Sequence, residues 1–423
     1  MTRELRADAI DFTTIVRPGD TVIWTQAASE PTVLVERLLE QRHAIGPFTV
    51  FLGASLTGLV RPEHADTITF LGLGAVGTNR AMCKAGAMRV IPCHLSDLPR
   101  LLADGRIPVD VAMLQLSGEN AEGDFSLGAV NGYVQFAMGR ARTVLAEVND
   151  QQPWTCAHQP VDRERIDLIV RTSHALAEAA SRPYGPVDQR IAERIAGLIP
   201  NGAVLQIGIG TIPNAVVAAL RHHRDLGLHA GVVGDEVVGL IEAGVVTNAT
   251  KPFDTGRSVT GGLMGTARLY RFAHRNRDLL IEPVTYTHDI RRLAQFENFV
   301  AVNSAIEVDL TGQIGAEVAG GSYVGTIGGQ TDFIRGAFAS PGGRSIVGLP
   351  SRTGNGRSRI VSRIASGIVT TARADADVVV TEFGTAELRG QPIAERVRRM
   401  IALAHPGDRD ALERDAREAV AGL

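Results

Sequence analysis

The sequence predicts an α/β fold made of two related open α/β domains that face each other across a cleft. Apolar strand-like runs alternate with amphipathic helical stretches along the whole chain of 423 residues. The composition is 44% hydrophobic but only 5% aromatic, which is typical of buried parallel strands rich in small aliphatic residues. A strand, loop and helix pattern also occurs twice, once near the start of each half.

The repeated pattern indicates an internal duplication. Its first copy has a Pro-Gly turn, a short apolar strand, a loop of small residues and a helix with one apolar face. Its second copy aligns with the first without a gap at an offset of 182 residues. This alignment pairs Pro18 with Pro200, Val22 with Val204, Pro31 with Pro213 and Leu38 with Leu220. We therefore expect two domains of related architecture, with a ligand cleft between them.

The remaining elements of the first half fit a parallel sheet. Strands are predicted at 47–53, 66–73, 88–92, 109–117 and 142–149, and a helix is predicted at 78–87. The segment SRPYGP, residues 181–186, carries two prolines and a glycine between two helical patterns. The predicted domains are therefore residues 1–182 and 187–423.

Charge and cysteine content exclude several classes of protein. The 46 acidic and 43 basic residues give a formal charge of −3 and are spread evenly, so neither nucleic acid nor an anionic membrane is an expected partner. Cys83, Cys93 and Cys156 lack the spacing of metal ligands, so no bound metal is expected. Without a signal peptide or an apolar membrane span in the sequence, we expect a cytoplasmic protein.

The stretch GIGTIP, residues 208–213, lies where a strand turns into a helix. Gly208 and Gly210 let a ligand approach the backbone closely, and free amides at a helix start suit an anion. A dinucleotide fold would require a third glycine where Pro213 stands. Contact with a phosphate or carbonyl and a tight turn that packs helix on sheet both remain open.

Two further loops are candidates for ligand contact. Gly325, Gly328 and Gly329 lie in a glycine-dense stretch, residues 320–337, which either wraps an elongated ligand or needs positive φ angles. The stretch at 350–361 places Arg357 and two other arginines around two glycines, which fits either nucleotide phosphates or a solvated surface loop.

The stretch GDEVVGL, residues 234–240, places Asp235 and Glu236 at a glycine-bounded turn inside an apolar segment. This pattern indicates an acidic active site. The signatures GxSxG, GxxxxGK[ST] and HExxH do not occur in the sequence. A serine hydrolase, a P-loop NTPase and a zincin are therefore less expected.

Taken in order, longer motifs resemble the acetyl-CoA hydrolase/CoA-transferase family, which includes the 4-hydroxybutyrate and acetate CoA-transferases. The N-terminal half contributes NRAMCKAGAMRVIPCHLSDLPRLL and DVAMLQLSGENAEGDFSLG. The C-terminal half contributes GIGTIPNAV, LIEAGVVTN, NSAIEVDLTGQI, GTIGGQTDFIRGA, GGRSIVGLPS, VVVTEFGTAELRG and ALAHPGDRDALE. The resemblance covers nearly the whole chain.

The resemblance implies open α/β domains of the type found in sugar-phosphate isomerases, coenzyme A bound as an acyl-CoA substrate, and a homodimer or dimer of dimers. In the transferases of this family a glutamate attacks the acyl-CoA and becomes a glutamyl-CoA thioester, which a carboxylate acceptor resolves. The resemblance assigns contacts with CoA or the thioester oxygen to the glycine loops, and a phosphate contact to Arg357. The glycines concerned are Gly208, Gly210, Gly325, Gly328 and Gly329.

One position departs from the family pattern. Alignment through LIEAGVVTN places His229 on the histidine of the family's nucleophile motif, Gly231 on its glutamate and Asp235 on its aspartate. Three interpretations remain open: an acceptor or water attacks the acyl-CoA directly, Glu236 or Asp235 supplies the nucleophile, or the protein binds acyl-CoA without catalysis. In the first, His229 is the candidate general base with Asp235 as its partner; alternatively, His229 only packs at the end of a strand.

Overall fold

The computed structural model describes residues 2–419. Met1 and residues 420–423, which the predicted domains include, lie outside the described residues. The strands are β1 Arg3–Glu4, β2 Thr21–Trp24, β3 Phe48–Leu52, β4 Ile68–Gly72, β5 Met88–Val90, β6 Val111–Leu116, β7 Thr143–Asn149, β8 Leu168–Thr172, β9 Val204–Ile207, β10 Gly227–Ala230, β11 Ser258–Thr260, β12 Leu279–Ile281, β13 Phe299–Ser304, β14 Glu307–Asp309, β15 Ile314–Gly315, β16 Val318–Ala319, β17 Ser322–Tyr323, β18 Arg344–Gly348, β19 Ile360–Val361, β20 Val378–Thr381 and β21 Gly384–Glu387. The α-helices are α1 Thr32–Ile45, α2 Asn79–Lys84, α3 Leu98–Ala103, α4 Val134–Arg140, α5 Pro186–Ala196, α6 Thr211–Ala219, α7 Asp235–Glu242, α8 Ala267–Ala273, α9 Val284–Thr287, α10 Ile290–Leu293, α11 Gln330–Ala339, α12 Ile393–Leu403 and α13 Pro406–Ala419.

The predicted α/β fold is confirmed, and the chain forms two compact units. The sheet of the first unit has the strand order β1-β8-β7-β6-β2-β3-β4-β5, and every neighbouring pair in it is parallel. All six residues of β6 are buried, as the apolar run at 109–117 predicts for a strand covered on both faces. Each of the five strand segments predicted for this half contains an observed strand.

The first unit also takes two segments from later in the chain, 231–235 and 257–287. Backbone hydrogen bonds attach the longer segment to the N-terminal residues: Leu263 N donates to Ala129 O at 2.8 Å, and Ile281 N donates to Cys156 O at 2.8 Å. The sequence-based division at the linker places both segments in the second domain. The predicted and observed divisions differ because these bonds join residues more than a hundred positions apart. The composition of a linker carries no information about such long-range pairing.

The second unit contains residues 181–230, 236–256 and those from 288 onward. Within it the strands lie in the order β10-β9-β13-β18-β20-β21, with β21 antiparallel to β20 and the other pairs parallel. Val22 lies in β2 and Val204 in β9, and a helix follows each strand, so the repeated strand and helix unit is present in both halves. Among the described residues, no helix has both the length and the apolar character that crossing a membrane requires.

Candidate functional site

The carboxyl edge of the second unit's sheet carries two helix starts, and a glycine loop precedes each. Gly208 to Gly210 connect β9 to α6. The second loop ends at Gly329, where α11 begins, and α11 packs on β13 and β18. Because β9, β13 and β18 are parallel and α11 runs back between β13 and β18, its N-terminus lies at the carboxyl edge, as that of α6 does. Both helix starts therefore offer backbone amides and the positive end of a dipole at one edge.

Packing explains two of the five candidate glycines. A Cβ atom on Gly329 would collide with the imidazole of His288 and would lie 3.3 Å from Phe333 Cε2. A Cβ atom on Gly325 would overlap the carbonyl oxygen of Ala316. The fold itself therefore requires glycine at both positions, whether or not a ligand binds beside them.

Gly208 is different because the structure around it has room for a side chain. A Cβ atom built on it meets no atom within 4 Å, and its φ is not in the left-handed region. Its neighbour Gly210 has a φ of 130° and needs glycine for its own conformation. Ile209 between them is 39% exposed, unusual for a large apolar side chain. The backbone at Gly208 is therefore accessible from the surface, and a ligand can approach it closely.

Sequence reasoning missed His288, which lies next to the second glycine loop. Its side chain is 3% exposed and its ring centroid lies 4.5 Å from that of Phe333. Burial lowers the pKa of His288 to about 3, so the imidazole is neutral at physiological pH. No sequence signal marks it, because a lone histidine belongs to no motif.

Gly231 lies in the first unit and is held by its backbone. Its carbonyl oxygen accepts a hydrogen bond from Gly261 N at 3.1 Å, and Gly261 O accepts one from Asn131 N at 3.1 Å. Gly231 is partly buried, and its φ is not in the left-handed region. The position that the resemblance assigns to a catalytic carboxylate is thus a well-anchored backbone site without a side chain.

Asp235 is engaged in a structural contact. Its Oδ2 accepts a hydrogen bond from Thr266 N at 2.8 Å, and its Oδ1 accepts one from Thr266 Oγ1 at 2.8 Å. Thr266 is the N-cap of α8, and a Cβ atom on Gly265 would lie 2.6 Å from Asp235 Oδ2. Asp235 therefore fixes the start of α8. Its role as a partner of His229 stays a prediction.

Glu236 lies in the first turn of α7 and is partly buried. Among residues 2–419, none of the hydrogen bonds and ion pairs found involves its carboxylate. A carboxylate in this state has no structural contact to break if it acts as a nucleophile. Its catalytic role stays a prediction.

His229 is completely enclosed within the second unit. Its side chain is 0% exposed, and its ring lies 5.1 Å from that of Phe296 and 6.4 Å from that of Phe253, measured between centroids. A general base must come within hydrogen-bond distance of the proton that it removes. The enclosure favours the packing interpretation, while the catalytic interpretation stays a prediction.

The stretch at 350–361 contains three arginines, and one of their side chains is exposed. Arg352 pairs with Asp408, its Nε lying 2.8 Å from Oδ2, and Arg359 is partly buried with Nη1 donating to Ala305 O at 3.4 Å. Arg357 is exposed in a turn closed by Thr353 N, which donates to Arg357 O at 2.8 Å. The side chain of Arg357 is therefore open to solvent, and its contact with a phosphate stays a prediction. Over the described part of the chain, no group of three or more His, Cys, Asp or Glu side chains is arranged to hold a metal ion.

Comparison with known proteins identifies the family. Residues 5–173 match the acetyl-CoA hydrolase/transferase N-terminal domain, and residues 265–416 match the C-terminal domain of the same family. The 4-hydroxybutyrate coenzyme A transferase of Clostridium kluyveri is 37% identical over 399 residues, covering 92% of each chain.

Solved structures agree with this assignment. RipA from Yersinia pestis superposes with a TM-score of 0.92 at 34% identity, covering 98% of this chain and 97% of RipA. The 4-hydroxybutyrate CoA-transferase of Porphyromonas gingivalis gives a TM-score of 0.83 at 32% identity, with the same coverage. The chain belongs to the acetyl-CoA hydrolase/transferase family and is an acyl-CoA transferase or hydrolase.

Proposed function

We propose that this protein transfers an acyl group from coenzyme A to a small acceptor, or to water, by direct attack and without a glutamyl-CoA intermediate. The observation that carries the proposal is Gly231 at the position where the resemblance places the nucleophilic glutamate. In the direct step the acceptor oxygen forms a bond with the thioester carbon, the carbon–sulfur bond breaks, and the acceptor proton ends on the sulfur of CoA. This route needs no carboxylate at residue 231.

The contacts of Asp235 support the direct route over attack by this residue. Both of its oxygens accept hydrogen bonds from Thr266, the N-cap residue of α8, so acylation of Asp235 would weaken the bonds that hold this residue in place. A hydrogen bond to a charged group typically contributes about 1.5–3 kcal/mol. Glu236 has no such contact and is the remaining candidate for a carboxylate nucleophile.

The acyl-CoA is held, in this proposal, by the carboxyl edge of the second unit's sheet. Gly208 and Gly210 leave the start of α6 open, and Gly328 and Gly329 lead into the start of α11. Two helix starts suit phosphate or thioester oxygens. Gly325 belongs to the same loop, and the exposed Arg357 is the proposed phosphate contact.

Proton transfer does not depend on a protein base in this mechanism. The departing CoA thiolate takes the proton of the acceptor, because a thiol has a pKa of about 8.5 and the protonated acceptor in the tetrahedral state is a far stronger acid. The enclosed His229 is therefore not required. A general-base role for His229 is the competing prediction, and replacement of His229 distinguishes the two.

Intact-mass analysis after incubation with acetyl-CoA tests the proposal. Samples are treated with hydroxylamine or borohydride, which convert a glutamyl thioester into a stable modification. We expect acetyl-CoA to be consumed while the protein mass stays unchanged. A modification located on Glu236 or Asp235 would establish the ordinary transferase mechanism instead. Binding of acetyl-CoA without turnover, whichever acceptor is supplied, would establish the non-catalytic alternative.

Restoring a carboxylate gives a second test. The variant Gly231→Glu is expected to form the trappable glutamyl thioester that the native chain lacks. The matched control is Gly239→Glu, since Gly239 is exposed on α7 and a Cβ atom there meets nothing within 4 Å. Trapping by the control as well as by Gly231→Glu would show that residue 231 is not the reactive position.

A further inference from the structure

The start of α1 is capped by a carboxylate that comes from a distant strand of the same unit. Glu147 lies in β7, and its Oε2 accepts hydrogen bonds from Val33 N at 3.0 Å and from Leu34 N at 3.2 Å. These amides belong to the first turn of α1, where backbone N–H groups have no partner within the helix. The side chain of Glu147 is 0% exposed. A buried carboxylate therefore occupies the place where the N-terminus of a helix would otherwise attract an anion.

The second oxygen of Glu147 contacts a histidine and a threonine. Its Oε1 lies 2.6 Å from Nε2 of His174 and accepts a hydrogen bond from Thr172 Oγ1 at 3.2 Å. Nδ1 of the same imidazole lies 3.2 Å from Ala175 O. Because carboxylate and carbonyl oxygens only accept, the ring carries a proton on each nitrogen and is positively charged. His174 and the start of α1 thus compensate the charge of the buried carboxylate.

The backbone of His174 is also fixed, so its ring is held in place beside Glu147. His174 N donates to Asn149 Oδ1 at 3.1 Å, and Asn149 Nδ2 donates to His174 O at 2.9 Å. Asn149 Nδ2 also donates to Gln115 Oε1 at 2.7 Å, and both amide side chains are buried. All of these residues lie in the first unit. The contacts of Glu147 therefore join α1 to the segment that leads into the linker at 181–186.

The corresponding strand of the second unit brings no carboxylate to its helix. β7 is the second strand from β2 in the first sheet, as β18 is the second strand from β9 in the other. α1 follows β2, and α6 follows β9. β18 has the sequence RSIVG, without an acidic residue, and it presents Gly348 to α6: a Cβ atom on Gly348 would lie 3.2 Å from Ile212 Cγ2. The two repeated helix starts therefore differ in whether a strand supplies an anion.

We infer that Glu147 is an internal anion that closes the helix start of the first unit to external ligands. Its carboxylate takes the place of a bound anion, and through His174 it fastens the segment before the linker to α1. The duplication thus leaves one helix start that serves the fold and one, at α6, without such a carboxylate. The inference concerns contacts within the first unit and does not depend on the proposed acyl transfer.

Chemical rescue tests this inference. Glu147→Ala removes Cγ and the carboxyl group, which together correspond to one acetate ion. The variant is expected to melt below the native protein, and added acetate is expected to restore at least half of the lost Tm by binding to the vacated site. Acetamide, a neutral molecule of the same shape, and sodium chloride at the same ionic strength should not restore it. A Tm that acetate raises no more than these controls do would overturn the inference.

Glu147→Gln is the matched variant, because glutamine keeps the size of the side chain and removes its charge. It is expected to melt below the native protein, and acetate should raise its Tm no more than it raises the native Tm, since the site is filled. This comparison also accounts for acetate bound elsewhere on the protein. A Glu147→Gln variant as stable as the native protein would show that the negative charge is not needed. That result decides against the inference even if Glu147→Ala does not fold.

Hydrogen–deuterium exchange locates the acetate that rescues Glu147→Ala. The amides of Val33 and Leu34 should exchange about tenfold faster in this variant than in the native protein, and acetate should slow them again. Peptides from α5 are the control, because Gly185 N at its start donates to Asp188 Oδ2 at 2.9 Å and does not involve Glu147. Their exchange should be the same in every sample. Recovery of Tm without renewed protection of Val33 and Leu34 would place the acetate elsewhere and overturn the inference.

Discussion

Replacing Gly208 with alanine separates the requirements of the fold from those of the ligand. A Cβ atom on Gly208 meets nothing within 4 Å, and the backbone φ is not in the left-handed region. Alanine should therefore leave the protein as stable as before, or up to about 1 kcal/mol more stable, because it reduces the entropy of the unfolded chain. The added methyl group occupies the open approach to the start of α6. We expect the affinity for CoA to fall about tenfold, equivalent to about 1.4 kcal/mol.

The matched variant is Gly329→Ala, for which the structure predicts a large cost in stability. Here the methyl group would collide with the buried His288 ring, which packs against Phe333 and cannot withdraw freely. Overpacking of this kind costs about 1–3 kcal/mol. For a unit of this size the cost corresponds to a fall in Tm of roughly 2–12 °C.

Two measurements decide the outcome. Calorimetric melting gives the stability of each variant, and isothermal titration with CoA gives its affinity. The expected result is a split in which Gly208→Ala loses affinity with an unchanged Tm, whereas Gly329→Ala loses stability. If Gly208→Ala keeps full affinity for CoA, Gly208 is not a ligand contact. If Gly329→Ala melts like the native protein, the steric argument for that glycine is wrong.

Three further substitutions test buried or partly buried groups. His229→Leu should keep kcat/KM within a few-fold of the native value, because a fully buried imidazole cannot reach an acceptor. A loss of more than a hundredfold in a folded variant would restore the assignment of His229 as the general base. Burial lowers the pKa of Lys251 to about 8, so the ammonium form is disfavoured in the folded state. Lys251→Met should therefore raise the free energy of unfolding at pH 7 by about 1–2 kcal/mol. This gain in stability should shrink between pH 8 and 10.5, where the folded protein loses the proton before the unfolded chain does. Urea titrations at several pH values measure it, and a variant less stable than the native chain at pH 7 would contradict it. The hydrogen bond to the buried Glu147, with Nε2 and Oε1 2.6 Å apart, raises the pKa of His174. This stabilisation is full below a pH of about 6.5 and is lost as the pH rises through the folded pKa, so His174→Gln should cost about 1–2 kcal/mol at pH 6 and progressively less above that pKa. A cost that does not change with pH would show that the ion pair contributes nothing.

The sequence was informative where structure depends on neighbouring residues. The alternation of apolar strands and amphipathic helices is a local pattern, so the parallel strands and the strand and helix unit at Val22 and Val204 could be predicted. The turn at Gly208 to Gly210 is equally local, since a glycine pair after an apolar strand and before a helix restricts the backbone directly. Long motifs also determined the family, because their order along the chain is a property of sequence alone.

Only the tertiary structure decided which distant residues meet. Residues 257–287 join the first unit, Asp235 holds Thr266, the N-cap residue of α8, and His288 excludes a side chain at Gly329. A cavity in the first unit is likewise lined by residues from separate stretches of the chain, among them Phe125, Val161 and Ile281. Such contacts depend on packing between elements that are far apart in sequence, and no pattern of neighbouring residues encodes them. The sequence by itself therefore determined the elements and the family and predicted that Gly231 occupies the nucleophile position, whereas the surroundings of Gly231 came from the folded chain.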